Sequence, residues 1–417
     1  MLDLREIRDD PAPAREALAR RGADPAVLDR ALELDARRRA ILPELEELRR
    51  AKNEASKRIG HLQREGQDAA EAIAEVRGAS AREKELDDEL RALEGERSAA
   101  LSALPNLPDD DAPAADTVLR EVGEAGGAGR DHLDLLGDLV DMAAGARVAG
   151  SRFAYLKGPV VRLELALLQW VLTLLEDKGF MPVVPPVLVR EEALYGTGFL
   201  PDTEQQIYRV PDDDLYLAGT SEVPLASLHA GQILEATALP SRYAGLSTCF
   251  RREAGAAGKD TKGIFRVHQF DKVEMFTFVD PDTSGEEHER LLAIEEEILG
   301  ALEIPYRVVN IAVDDLGNSA AKKYDLEAWL PGQERYRELT SCSNTTAFQA
   351  RRLDVRYRAE GDGGPRHVHT LNGTAVAVGR TIIALVENGQ RDDGSVAIPA
   401  VLHPFGAPEE IPPVGAR

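Results

Sequence analysis

Residues 28–62 and 69–104 are dominated by Glu, Arg, Ala and Leu, and this block restricts the possible fold more than any other part of the chain. In the first stretch Leu45, Leu48, Ala51, Ala55, Ile59 and Leu62 recur at threes and fours, the spacing that gathers side chains on one face of an α-helix. A looser apolar set, Ile73, Val76, Leu86, Leu90, Leu93 and Leu101, marks the second stretch. Gly66 and its polar neighbours supply a turn between them, and Pro105 and Pro108 end the second run. Each stripe needs a partner to leave water, so the segment predicts an antiparallel helical hairpin. By pattern alone such a hairpin is a spacer, a dimerisation arm or a binding rod.

A chain of 417 residues has room for two or three domains with a full core. Its formal charge of −23 argues against a phosphate-rich partner until the distribution is inspected. Residues 1–104 hold 20 Lys and Arg against 24 Asp and Glu, and residues 105–417 hold 30 against 49. Within 49–64 the balance reverses: Arg49, Arg50, Lys52, Lys57, Arg58 and Arg64 face Glu54 alone. A basic stripe is therefore expected on an acidic protein. Cys249 and Cys342 are the only cysteines and sit in unrelated segments, which excludes a disulfide framework or a cysteine zinc site and suits a reducing, cytoplasmic setting. The N-terminus, MLDLREIRDD, lacks an apolar core, and the most apolar later segment is interrupted by Arg162 and Glu164, so neither a targeting segment nor a membrane span is expected. Residues 105–150, acidic and then Gly/Ala-rich, read as a linker and lead-in to the body.

The chemistry concentrates in 247–278, STCFRREAGAAGKDTKGIFRVHQFDKVEMFTF. Two alternating runs flank a polar loop with Gly255, Gly258 and Gly263, which predicts two antiparallel strands and a turn. Regular strands would gather Cys249, Arg251 and Glu253, and across from them Arg266, His268, Phe270, Lys272 and Glu274, on one face. Guanidinium forks hold phosphate, a ring stacks on a base and carboxylates accept from amines, so the set suits a nucleotide. A charged, solvated hairpin is the competing reading. Upstream, the mostly apolar 162–178 (Leu163, Leu165, Leu167, Leu168, Trp170, Val171, Leu174, Leu175) predicts a helix buried on most sides and stopped by Lys178 and Gly179. Downstream, Asn372 to Arg380 followed by the apolar Thr381–Val386 predicts a strand entering a helix with an arginine at the junction, well placed for polyphosphate. His367 and His369 do not make a metal pair, because no further Cys or His lies nearby to complete a tetrahedral set.

Phe250-Arg251-x-Glu253, the loop, and Arg266-x-x-x-Phe270-x-x-x-Glu274 resemble motif 2 of the class II aminoacyl-tRNA synthetases, and AGAAGKDTKG with RVHQFDKVEM resembles the seryl-tRNA synthetase branch. Residues 178–188 resemble motif 1, whose helix and strand form the dimer interface of that class, and 372–386 resemble motif 3, with Ala377 standing where the wider class often has glycine. Gly219-Thr220-Ser221-Glu222 resembles the loop that takes the amino acid, and Glu338 to Asn344 the strand that meets ATP and its magnesium.

The resemblance implies an α+β body, an antiparallel sheet flanked by helices, over 151–417, preceded by a coiled-coil arm over 1–104 that holds the tRNA. It also implies a cytoplasmic homodimer, joined through motif 1, with no DNA partner, that makes seryl-adenylate from L-serine and ATP and passes the serine to serine tRNA, with selenocysteine tRNA as a second candidate acceptor. On the matched positions, Arg251 takes the α-phosphate with Arg252 beside it. Glu253 and the Val267 backbone hold adenine, Phe270 stacks on its ring, and Arg380 takes the γ-phosphate. Glu338 and Ser341 take Mg2+, with Leu339 and Thr340 between them along ATP. Serine falls to Thr220, Ser221, Glu222, Arg251, Glu274, Asn372 and Thr374, and the tRNA to Arg49, Arg50, Lys52, Lys57, Arg58 and Arg64. His268 is expected to be structural or to face a phosphate, since a carboxylate needs no base to attack phosphorus. A paralogue loading serine onto another acceptor and an inactive RNA-binding scaffold are the competing functions.

Overall fold

The computed structural model describes residues 1–201, 206–254, 260, 262–359, 361 and 364–415, so Gly255 and Gly258 of the predicted loop lie outside the described residues. The chain divides into two compact units, Met1–Pro105 and Asn106–Arg417.

In the first unit the helices Pro25–Arg64 and Ala70–Ala103 pack along their length, and ion pairs from Arg58 to Glu75, Arg49 to Asp87 and Arg30 to Glu96 show that they run antiparallel. Asp24 caps the first helix by accepting from the Ala26 amide, with Pro25 at the first helical position. The seam holds Leu34, Ile41, Leu45, Leu86 and Leu93, with Leu48 and Leu90 against it. Ile73, expected in that seam, is 49% exposed, and Ala69 and Ala72 are buried in its place. Positions 69, 72, 76, 83, 86, 90 and 93 keep the spacing of threes and fours, and residue 73 sits about 100° round the helix from residue 72.

The basic stripe also differs from its expectation. Arg49 pairs with Glu83 at 3.1 Å and Asp87 at 2.9 Å, Lys52 pairs with Glu83, Arg58 with Glu75, and Arg50 with Glu47 of its own helix at 2.7 Å. Counting along one helix missed the carboxylates that the second helix brings across. Among the described residues Lys57 and Arg64 have no carboxylate partner. Pairs this exposed are screened by solvent, so a phosphate competes with them easily.

The second unit is built on an eight-stranded sheet in the spatial order Thr117–Val122, Tyr306–Asn310, Lys322–Leu330, Arg335–Asn344, His369–Ala377, Gln269–Val279, Ser241–Phe250 and Met181–Val183. Every pairing is antiparallel except that of Met181–Val183 with Ser241–Phe250. One face is dry. Leu163 and Leu167 of helix Pro159–Asp177, Leu291 and Ile298 of Ser284–Ala301, and Ile382 and Ile383 of Val378–Asn388 share a core with Val273, Met275, Leu326, Cys342 and Ala375. Helix Pro159–Asp177 ends at Lys178, with Gly179 at φ +82°, the left-handed exit that glycine makes without strain. Its exposed side carries Leu165, 59% accessible.

Two expectations are corrected here. The first strand of the 247–278 hairpin stops at Phe250 and the second starts at Gln269, so Arg251, Glu253, Arg266 and His268 are not strand residues. Glu253 has φ +51°, which no regular strand accommodates. Residues 106–150 are more than a linker: Thr117–Val122 forms an edge of the sheet, and helices His132–Leu136 and Met142–Ala149 follow. All six residues of that edge strand are exposed, so it needs none of the apolar alternation by which a strand is recognised.

The seam assignment is directly testable. Leu86→Ala, at a 1% exposed site, is expected to destabilise the hairpin by about 2–5 kcal/mol. Ile73→Ala is expected to change it by no more than about 0.5 kcal/mol. Hydrogen exchange of the two long helices in the full chain measures both, and equal effects would refute the register.

Candidate functional site

The other face of the sheet carries a cavity lined by charged side chains. Even-numbered residues of Gln269–Val279 up to Glu274 turn toward a cavity of about 360 Å³ while Val273 and Met275 enter the core, so Phe270, Lys272 and Glu274 line it together. Pairing of that strand with His369–Ala377 sets Lys272 opposite Ala377 and Glu274 opposite Thr374. The register slips by one residue at Ala375, which brings Asn372, Thr374 and Ala377 to one cavity despite their mixed parity. A second slip does the same in Arg335–Asn344. Leu326 pairs with Thr340 but Glu327 with Glu338, so Leu339 is the extra residue and Glu338 joins Ser341 and Ser343 on the cavity side.

Charged groups crowd this cavity. Arg251 donates through Nε to the Gly219 carbonyl at 3.1 Å, and its guanidinium lies 5.3 Å from the Phe270 ring centre. Arg266 holds Glu253 at 2.7 Å. Arg380 donates to the Glu338 carbonyl at 3.0 Å, lies 3.4 Å from its carboxylate, and stands over the Phe265 ring at 4.7 Å. At the buried end, Glu274 pairs with Lys272 and accepts from the Thr374 hydroxyl at 3.5 Å. Glu222 accepts from Gln349 Nε2 at 2.7 Å and Asn372 Nδ2 at 3.1 Å. The Thr220 hydroxyl accepts from the Glu222 amide at 3.2 Å, which starts the short helix Glu222–Ala226.

Burial, and then the neighbouring Glu274, pushes the Glu222 carboxyl up to about 7. Burial also raises Glu274, against the pull of Lys272 and Arg251. Glu338 goes the other way: its enclosure acts upward, but Arg380, Lys323 and Arg251 outweigh it and hold the carboxyl below its ordinary value. An ionised carboxylate beside two serine hydroxyls is a hard-oxygen donor set of the kind Mg2+ takes, so the residues present fit that ion.

Thr220, Glu222, Arg251, Glu253, Val267, Phe270, Glu274, Glu338, Leu339, Thr340, Ser341, Asn372, Thr374 and Arg380 all line the cavity. Two expected members do not. The Ser221 hydroxyl is fully buried and donates to the Gly245 carbonyl at 3.2 Å, because successive residues entering a helix cannot face the same way. Arg252 is exposed and its amide donates to the Gln206 carbonyl, since the chain leaves the strand one residue earlier. Thr340 borders the cavity but its hydroxyl bonds Glu295 in the core at 3.2 Å. His268 is structural: Nδ1 meets the Arg251 carbonyl at 2.9 Å, and the ring packs on Phe153 and Tyr208. His367 and His369 go to different partners, Asp354 and Ser284.

The sequence reading missed Lys323, which lines the cavity and pairs with Asp325 at 3.2 Å, and the loop from Asp315 to Ala320 that closes one wall. A lysine pair opening a strand that otherwise mixes apolar and acidic residues was the available signal for Lys323. Lys272 was grouped with the cations but given no task.

Similarity to known proteins agrees with this geometry. Residues 207–389 match the model of the tRNA synthetase class II core domain (G, H, P, S and T), and residues 1–108 that of the seryl-tRNA synthetase N-terminal domain. The serine–tRNA ligase of Thermobifida fusca is 49% identical over the whole of both chains, and that of Nocardia farcinica 50% identical over 97% of this chain and 98% of its own. Among solved structures, seryl-tRNA synthetase from Pyrococcus horikoshii complexed with ATP superposes with a TM-score of 0.93 at 43% identity, covering 99% of this chain and 100% of that one. The cytoplasmic enzyme of Naegleria fowleri in complex with AMP gives 0.87 at 34% identity, over 97% of this chain and 96% of its own. Matched over essentially its full length in sequence and in fold, the chain belongs to the seryl-tRNA synthetase family of class II aminoacyl-tRNA synthetases.

Proposed function

We infer that the chain is a serine–tRNA ligase that runs both half-reactions of its family, forming seryl-adenylate from serine and ATP in the cavity and then passing the serine to the terminal ribose of serine tRNA. The observation that carries the site assignment is the meeting of the buried carboxylates Glu222 and Glu274 with the half-buried Arg251 and Arg380 in one cavity. The ammonium and hydroxyl of serine go to Glu222, Glu274, Thr220, Thr374 and Asn372. Its carboxylate meets the α-phosphate beside Arg251. Adenine lies on Phe270, with Glu253 and the Val267 backbone at its edge, and Arg380 takes the γ-phosphate. Glu338 and Ser341 would hold Mg2+, which would supply charge neutralisation at the phosphates. No side chain acts as nucleophile; positioning and charge neutralisation lower the barrier.

The arm of residues 1–104 is assigned to the tRNA through Arg49, Arg50, Lys52, Lys57, Arg58 and Arg64; the carboxylate partners of Arg49, Arg50, Lys52 and Arg58 are replaceable by phosphate, and among the described residues Lys57 and Arg64 have none to displace. Met181 and Val184 of motif 1, exposed at 62% and 81%, and Leu165 of the helix before it, exposed at 59%, support a homodimer through that surface. Among the described residues no helix is long and apolar enough to cross a membrane. Two free, buried cysteines fit a cytoplasmic setting, and no DNA partner is invoked. A scaffold without activity has no use for Arg251, Glu253, Glu274 and Arg380 in one cavity, and a paralogue loading another acceptor has none for the matched N-terminal domain.

Loss of one preorganised donor typically costs roughly a hundredfold or more in rate. Arg251→Ala is therefore expected to abolish most serine-dependent pyrophosphate exchange while thermal melting stays near that of the parent; near-native exchange would remove the hairpin from ATP binding. Because Glu222 titrates at about 7, it is neutral below that pH and ionised above it. Ionised, it holds an ammonium better, so kcat/KM for serine is expected to rise with pH through about 7, and Glu222→Gln to flatten that limb. An unchanged limb in the variant would assign the titration elsewhere. Replacing residues 28–104 by a short linker is expected to spare exchange and to reduce tRNA charging steeply, since all residues assigned to adenylate formation follow position 219. Equal loss of both activities would sink the division of labour.

A further inference from the structure

Outside the substrate cavity, the described residues contain one group with the spacing of a metal site, Asp131, His132 and Glu387. His132 and Glu387 are each 1% exposed. Both ring nitrogens of His132 are already engaged. Nε2 accepts from the Ile264 amide at 3.4 Å, which makes Nδ1 the protonated nitrogen, and Nδ1 donates to Glu387 Oε1 at 3.2 Å. Glu387 also accepts from the His132 amide at 3.2 Å and, through Oε2, from the Gly332 amide at 2.9 Å. Asp131 caps the short helix that begins at His132 by accepting from the Leu133 amide at 2.8 Å, and Lys262 reaches it at 3.6 Å. Donors and acceptors balance without an ion.

Three features mark this as more than a satisfied core histidine. Glu387 lies in the last turn of helix Val378–Asn388, where a negative charge faces the carbonyl end of the helix and is disfavoured. Its three N–H donors offset that cost, so the placement is maintained against a local penalty. Two glycines clear the space. A Cβ on Gly263, which has φ +72°, would stand 2.2 Å from His132 Nε2, and one on Gly332 would stand 2.9 Å from Glu387 Oε2. Finally, both ends of the bridge lead into the cavity. Ile264 precedes Phe265, whose ring lies under the guanidiniums of Arg337 at 3.9 Å and Arg380 at 4.7 Å, and Glu387 shares its helix with Arg380.

We propose that His132 is a positioning residue that ties the end of the motif 2 loop to the motif 3 helix and thereby fixes the Phe265 shelf on which the Arg380 guanidinium rests. The proposal rests on the assignment of Arg380 to ATP. His132 touches no substrate; it acts on the angle at which Arg380 meets the phosphates. A displacement of about 1 Å at such a distance from the chemistry can cost up to a hundredfold.

His132→Asn retains a donor toward Glu387 and removes the acceptor for the Ile264 amide. In pyrophosphate exchange it is expected to raise KM for ATP about tenfold and to leave KM for serine within about twofold. The Ile264 amide is expected to lose protection from hydrogen exchange. Combined with Arg380→Ala, it is expected to add nothing to the loss caused by Arg380→Ala alone, because the two act through one guanidinium. Gly263→Ala, which displaces the ring from the other side, is expected to reproduce the ATP effect. Equal shifts in the two KM values, multiplicative losses in the double variant, or a protected Ile264 amide would each overturn the proposal. Should Arg380→Ala leave exchange near native while the Ile264 amide is exposed in His132→Asn, the bridge would stand as structure and the ATP assignment of Arg380 would be what failed, taking the proposed role of His132 with it.

Discussion

The pairing of Gln269–Val279 with His369–Ala377 is the contact on which everything else in the body depends. It joins two segments far apart in sequence, and in doing so it lays the buried carboxylate Glu274 beside Thr374 and brings Lys272 near the junction that carries Arg380. Arg335–Asn344 pairs next to it and adds Glu338 and Ser341 to the cavity. The dry face of the same strands fixes their register. Sliding the pairing by one residue would send Lys272 and Glu274 into the core and Val273 and Met275 into the cavity, so the hydrophobic pattern that folds the sheet also aims the charges.

A site with this much charge is expensive to fold and inexpensive to use. Glu222, Glu274 and Lys272 are all buried, and each is held by a partner within the cavity wall. Arg251 and Arg380 rest on the Gly219 and Glu338 carbonyls, and Glu253 on Arg266. These arrangements spare the fold an unpaired charge and leave the same groups aimed into the cavity, where substrate groups exchange with weaker partners. Preorganised charge of this kind needs little rearrangement during reaction, which is where the rate advantage of such sites lies.

Much of this was legible in the sequence because it depends on local spacing. The helical hairpin follows from apolar residues at threes and fours, the strand-to-helix junction at Arg380 from a Gly/Ala/Thr run before an apolar stretch, and the motif 2 residues from their order along one segment. The misses share a cause. Ser221 and Arg252 stand next to cavity residues in sequence but leave the cavity because the backbone turns at those points. Lys323 and the loop from Asp315 to Ala320 arrive from a segment with no recognisable motif, and the edge strand Thr117–Val122 is exposed on every residue, so its sequence carries no alternation.

By itself the sequence determined the long helical hairpin and the types of the main elements, because periodicity and residue type act over a few neighbours, and its resemblance to a known family pointed to the chemistry of the site. Tertiary structure alone decided which of those residues meet. Glu338 and Ser341 differ by an odd number of positions and would face opposite sides of a regular strand; the extra residue at Leu339 unites them, and the slip at Ala375 does the same for Thr374 and Ala377. The arm repeats the lesson with charge. Arg49, Lys52 and Arg58 form a bare cationic row when read along one helix, but the second helix lays Glu83, Asp87 and Glu75 against them. Strand bulges and cross-helix ion pairs are settled by the partner a segment packs against, and no count along a single segment contains that partner.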